Sequence, residues 1–81
     1  LWISMTRLQP GIRLPRHFHT GSVLGVTLRG SWYYDEYPHA VNRAGSYLFE
    51  PPGSVHTLVV PDQEEVTEVW FAIWGANVLM D

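Results

Sequence analysis

The sequence predicts an all-β fold, a sandwich or barrel of short strands. Three observations predict it. The apolar residues recur with the period of strands rather than helices. Runs rich in aromatic and β-branched side chains are bounded by glycine or proline. Glycine or proline also interrupts almost every ten residues, which leaves little room for a helix of ordinary length.

The expected elements follow in chain order. Residues 2–8 read as a strand stopped by Pro10-Gly11. His17-Phe18-His19 comes just after Pro15, which favours an edge or a strand start. Residues 23–28 form a strand that ends in the Arg29-Gly30 turn, and residues 31–36 and 46–50 are short aromatic strands. Pro38 and His39 fall in a turn, with His39 exposed. Residues 56–60 make one strand up to Pro61, and 62–65 make a solvated acidic turn. Residues 66–74 form a strand ending at Gly75, and 77–80 begin a last one.

Composition narrows the class. The 81 residues allow one small domain, spanning 1–81. A chain of this size buries only about 60–65% of the surface it exposes when unfolded. With no cysteine there are no disulfide staples and no thiolate metal sites. A bound metal, a partner subunit or further chain must then supply stability. The net charge of −3, with no basic cluster, argues against nucleic acid or an anionic membrane surface as partner. No apolar run approaches the roughly 18 residues of a membrane span. The chain lacks an initiator Met and a signal peptide, so a cytoplasmic excerpt, trimmed at both ends, is expected.

The chemistry lies in the histidines. Side chains at i and i+2 of a strand share a face, so His17 and His19 can approach one ion together. His56, from another strand, would complete a set of three imidazoles, a donor set that suits zinc, copper, iron and nickel. Trp32, Tyr34 and Glu36 share a face by the same alternation, which makes Glu36 a candidate carboxylate for the site. Glu50 alternates with Phe49 just before Pro51-Pro52 and at most contacts a ligand rather than the metal. Trp32, Tyr34 and Trp70 could wall an aromatic pocket, or simply fill the core.

The spacing of these residues resembles the paired motifs of the cupin superfamily. Gly11, His17, His19 and Gly30 match the first motif, and Gly45, Pro51, Gly53 and His56 match the second. Two positions depart from the pattern. Val23 or Leu24 stands where the first motif carries a metal-binding glutamate, and Val60 stands where the second ends in asparagine. The segments around His17–Gly21, Leu28–Glu36 and Gly45–Leu58 are most similar to the cupin branch that includes 2,4'-dihydroxyacetophenone dioxygenase, and also to the cupin domains of zinc-binding anti-sigma factors.

The resemblance implies a small antiparallel jelly-roll barrel with an internal metal held by His17, His19, His56 and Glu36. Apart from the resemblance, a ligating Glu36 could detach and serve as the catalytic base that removes the substrate proton. The resemblance further implies an iron(II)-dependent dioxygenase acting on a small aromatic hydroxyketone and O2, with zinc, manganese, nickel or copper as alternative metals. A non-catalytic zinc-binding sensor is the competing reading. Open strand edges and the habits of the superfamily imply a homodimer or homotetramer.

Overall fold

The computed structural model describes residues 1–80. Ten strands follow one another: β1 (Trp2–Leu8), β2 (His17–His19), β3 (Val23–Arg29), β4 (Ser31–Tyr34), β5 (Tyr37–Arg43), β6 (Tyr47–Glu50), β7 (Val55–His56), β8 (Leu58–Val59), β9 (Thr67–Ile73) and β10 (Asn77–Leu79). None of the described residues is helical. All strand pairings are antiparallel, in three sheets ordered β1-β9-β3-β6, β10-β2-β7 and β5-β4-β8. The expected all-β, jelly-roll type of barrel is what these residues build.

Two differences from the expected elements bear on the site. Residues 37–43 form a strand, β5, rather than a turn. Its pattern is hard to read because Pro38 interrupts it and most of it is exposed. His39 is exposed, but it lies on this strand. The second difference is at residues 56–60, where Thr57 breaks the expected single strand. β7 pairs with β2, and β8 pairs with β4 in another sheet. Thr57 is therefore a corner at which the chain passes from one sheet to the next.

The core lies between the sheets. It gathers Leu8 from β1, Val23 from β3, Trp32 and Tyr34 from β4, Leu58 from β8, and Val69 and Phe71 from β9. Alternation selects these residues: along β9, Thr67, Val69 and Phe71 are buried while Glu68 and Trp70 turn away. Trp32 is wholly buried, and its indole Nε1–H donates to Thr27 Oγ1 at 2.9 Å, which satisfies its one polar atom. Gly30 makes the tight turn from β3 to β4 at φ +74°, and a Cβ there would lie 2.5 Å from Thr67 Oγ1. Only glycine fits that turn without strain.

Candidate metal centre

Strand register brings the three histidines together. In the β2–β7 ladder His17 stands directly opposite His56. His19, two residues along β2, shares the face of His17 and pairs with Asn77 of β10. The Pro51-Pro52-Gly53 turn feeds β7 into this ladder, and the Gly53 N–H donates to the His19 carbonyl at 2.8 Å. One ligand atom from each of His17, His19 and His56 lies within 4.8 Å of the others. The ring centroids are 4.4 to 5.5 Å apart.

The arrangement fits a cation. His17 Nδ1 lies 2.8 Å from the Pro15 carbonyl, which only an N–H can satisfy, so the neutral ring leaves Nε2 as a lone pair. His56 Nδ1 stands 2.9 Å from Glu50 Oε1, close to the carboxylate but without a hydrogen bond to it. The two Nε2 atoms face each other at 3.0 Å. At that distance one ring can donate its Nε2–H to the other, or both can turn their lone pairs to a shared ion. Nitrogens about 2.1 Å from one ion, at a right angle, are themselves about 3.0 Å apart. His19 Nδ1, like His56 Nδ1, is buried with no hydrogen-bond partner among the described residues, a polar atom left for a ligand to satisfy. Burial is the largest influence on His17 and His19 and pushes both below the ordinary imidazole range, toward the neutral form that binds metal.

Glu36 does not join them. β4 ends at Tyr34, and Asp35-Glu36 form the turn into β5, so the alternation that would have aimed Glu36 inward stops two residues short of it. Its carboxylate instead accepts the Thr57 N–H at 2.7 Å and the Thr57 hydroxyl at 3.0 Å. It thereby satisfies the backbone at the corner where the chain leaves β7. Desolvation raises the Glu36 pKa, but these hydrogen bonds outweigh it and hold the carboxyl below its ordinary value.

The carboxylate beside the imidazoles is Glu50, 6% exposed at the end of β6. Tyr34 donates its hydroxyl to Glu50 Oε2 at 3.1 Å, and its ring stacks on His56 at 4.3 Å and 12°. Burial, followed by the charge of Glu50, pushes the Tyr34 phenol far above its ordinary value, so it remains a donor.

A cavity of about 260 Å³ opens over the three imidazoles. Leu14, Val23, Leu58, Phe71 and Ile73 give it apolar walls, while Ser4 and Thr6 of β1 and Asn77 of β10 add polar groups. Of the three expected pocket aromatics only Tyr34 lines it. Trp32 lies in the core behind Tyr34, at 5.0 Å between ring centroids. Trp70 sits on the outer face of β9, because the pleat turns it away from Val69 and Phe71. The share of β1 in the cavity wall carries no chemical motif. Only the alternation of Ser4, Thr6 and Leu8 along that strand could have pointed to it.

The profile of the ChrR cupin-like domain family matches residues 1–75. The chain belongs to that family. Among solved structures, this cupin domain is similar to a protein of unknown function with a cupin-like fold from Ralstonia eutropha JMP134. The two are 47% identical with a TM-score of 0.92, over 95% of this chain and 52% of that one. It is also similar to an RmlC-like cupin protein from the same organism, at 30% identity and a TM-score of 0.93, over 98% of this chain and 50% of that one. The domain thus spans about half the length of each of these relatives. No curated protein matches it. No helix among the described residues is long and apolar enough to cross a membrane.

Proposed function

We propose that this cupin domain forms the metal site of an iron(II)-dependent dioxygenase. Its substrate would be an aryl α-hydroxyketone of the 2,4'-dihydroxyacetophenone type. The observation that carries the proposal is the set of three imidazoles on the floor of a small, mainly apolar cavity. Small-molecule sites run from about 300 Å³ upward, so a cavity of about 260 Å³ suits a compact substrate.

The net reaction cleaves the bond between the carbonyl carbon and the hydroxymethyl carbon. One hydroxyketone and one O2 give one aryl carboxylic acid and one formic acid, with both oxygen atoms retained in the products. Bound iron supplies the template and the electrons that bring O2 and substrate together. The protein contributes neutral donors, which leave the positive charge of the ion uncompensated within the donor set. That charge favours an anionic substrate with two oxygens. Phe71, Leu58 and Ile73 offer an apolar bed for the aryl ring. Glu36 has no part in this scheme, because Thr57 engages its carboxylate.

The test is anaerobic loading with iron(II), addition of an aryl hydroxyketone, and measurement of O2 uptake. Uptake that depends on His56 is expected, and uptake no greater than in His56→Ala would end the proposal. Family membership supports a second reading, a non-catalytic zinc-binding sensor domain. Zinc in protein purified without added metal, with no O2 uptake, would favour it. Self-association as a homodimer or homotetramer belongs to both readings. β1 is an open sheet edge on which Trp2, Ile3 and Met5 are 69%, 62% and 57% exposed. A stable monomer in sedimentation would count against it.

A further inference from the structure

We infer that Glu50 is the anionic component of the metal centre, a positioning residue that acts on the ion through His56, with Tyr34 as its clamp. The inference rests on the metal-binding reading but not on the reaction, and it applies equally to an enzyme or a sensor.

The first argument is burial. Phe49 is 60% exposed, while its neighbour Glu50 is 6% exposed, so the strand turns the carboxylate inward at the last residue before the Pro-Pro turn. Taking a carboxylate out of water costs several kcal/mol unless a positive charge answers it. Among the described residues no arginine pairs with Glu50, and its one ion-pair partner is His56. The Tyr34 phenol can donate a hydrogen bond but cannot cancel a charge, which leaves that task to a proton on His56 or to a cation on its far side.

The second argument is geometry. The imidazole of His56 lies between Glu50 Oε1, at 2.9 Å from Nδ1, and the Nε2 of His17, at 3.0 Å from its own Nε2. The Glu50 contact is close but is not a formed hydrogen bond, so the carboxylate faces the ring without yet being locked to it. A carboxylate behind a ligating imidazole fixes which nitrogen carries the proton and raises the basicity of the other. Tyr34 makes the unit rigid, because one side chain both stacks on the His56 ring and donates to the carboxylate. The glutamate missing from the first cupin motif is thus answered by a carboxylate one layer further out.

The test compares the wild-type chain with Glu50→Gln, Glu50→Asp and Tyr34→Phe, using zinc alone as the probe against a competing chromophoric chelator. Glu50→Gln keeps the shape and removes the charge. It is expected to weaken zinc binding about 10- to 100-fold. Glu50→Asp should recover part of that loss, and Tyr34→Phe should lose a few-fold. A loss of packing alone would leave the proton on His56 where it was, so ¹⁵N NMR of the metal-free protein supplies the second readout. His56 should hold its proton on Nδ1 in wild type and share it between both nitrogens in Glu50→Gln. Unchanged zinc affinity and unchanged His56 nitrogen shifts in Glu50→Gln would overturn the inference. Should that variant not fold, the same two results in Tyr34→Phe would overturn it. Wild-type protein that takes up no zinc or other divalent metal would instead remove the metal-binding reading, and this inference with it.

Discussion

His17 and His56 are cross-strand partners whose Nε2 atoms lie 3.0 Å apart, with His17 Nδ1 held by the Pro15 carbonyl and His56 Nδ1 2.9 Å from Glu50 Oε1. Replacing either by alanine is expected to lower zinc affinity by about two orders of magnitude or more, since a three-donor site becomes a two-donor one. Chelator competition measures it. Affinity retained in both single variants would show that the rings do not share an ion.

Glu36 should prove to be a stabilising residue. Glu36→Gln is expected to leave metal content unchanged and to cost about 1 kcal/mol, less than a buried charged hydrogen bond because solvent screens the exposed carboxylate. Its pKa is lower folded than unfolded, so its contribution is present above the unfolded value of about 4.5 and disappears as pH falls through the folded value. Urea unfolding of wild type should weaken on acidification below about pH 4.5, and that increment should be missing in Glu36→Gln. Loss of bound metal in Glu36→Gln would restore the carboxylate to the site.

Trp32 should report on stability and not on ligands. Trp32→Phe removes the hydrogen bond of the single indole N–H and leaves Thr27 Oγ1 buried. A cost of about 1–3 kcal/mol is expected by denaturant titration, with little change in metal affinity.

Gly30→Ala puts a Cβ against Thr67 at a residue whose φ is +74°. A loss of about 1–3 kcal/mol is expected in thermal or urea unfolding. Gly45→Ala is the matched control. Its φ of +92° carries backbone strain, but nothing lies within 4 Å of the added atom, so it should lose less.

The parts of the site that were legible in the sequence are those fixed by local rules. His17 and His19 share a face because strands alternate, and Gly53 and Gly30 sit where turns need them, so the spacing of these residues carries the three-dimensional arrangement. Glu36 was misplaced by one local event: the turn begins at Asp35, and alternation has no meaning beyond it. β5 was hidden because an exposed strand holding a proline has no apolar period. Glu50 was legible in part. Alternation set it on the face opposite Phe49, but its neighbours Tyr34 and His56 come from other strands, and only tertiary packing brings them to it. The aromatic pocket failed on the same ground. Trp32 and Trp70 have the right chemistry, yet one is wrapped in the core and the other faces outward.

The corner at Thr57 has a further consequence. It ends β7 directly after His56, leaving that ligand on a two-residue strand whose one sheet neighbour is β2. An ion shared by His17, His19 and His56 would therefore rivet this short strand in place. It would add about 2.7 kcal/mol when present at a hundredfold excess over its dissociation constant. Starved of that ion, the seam between β2 and β7 is where proteases would gain entry, so metal supply would govern how long the polypeptide survives in the cell.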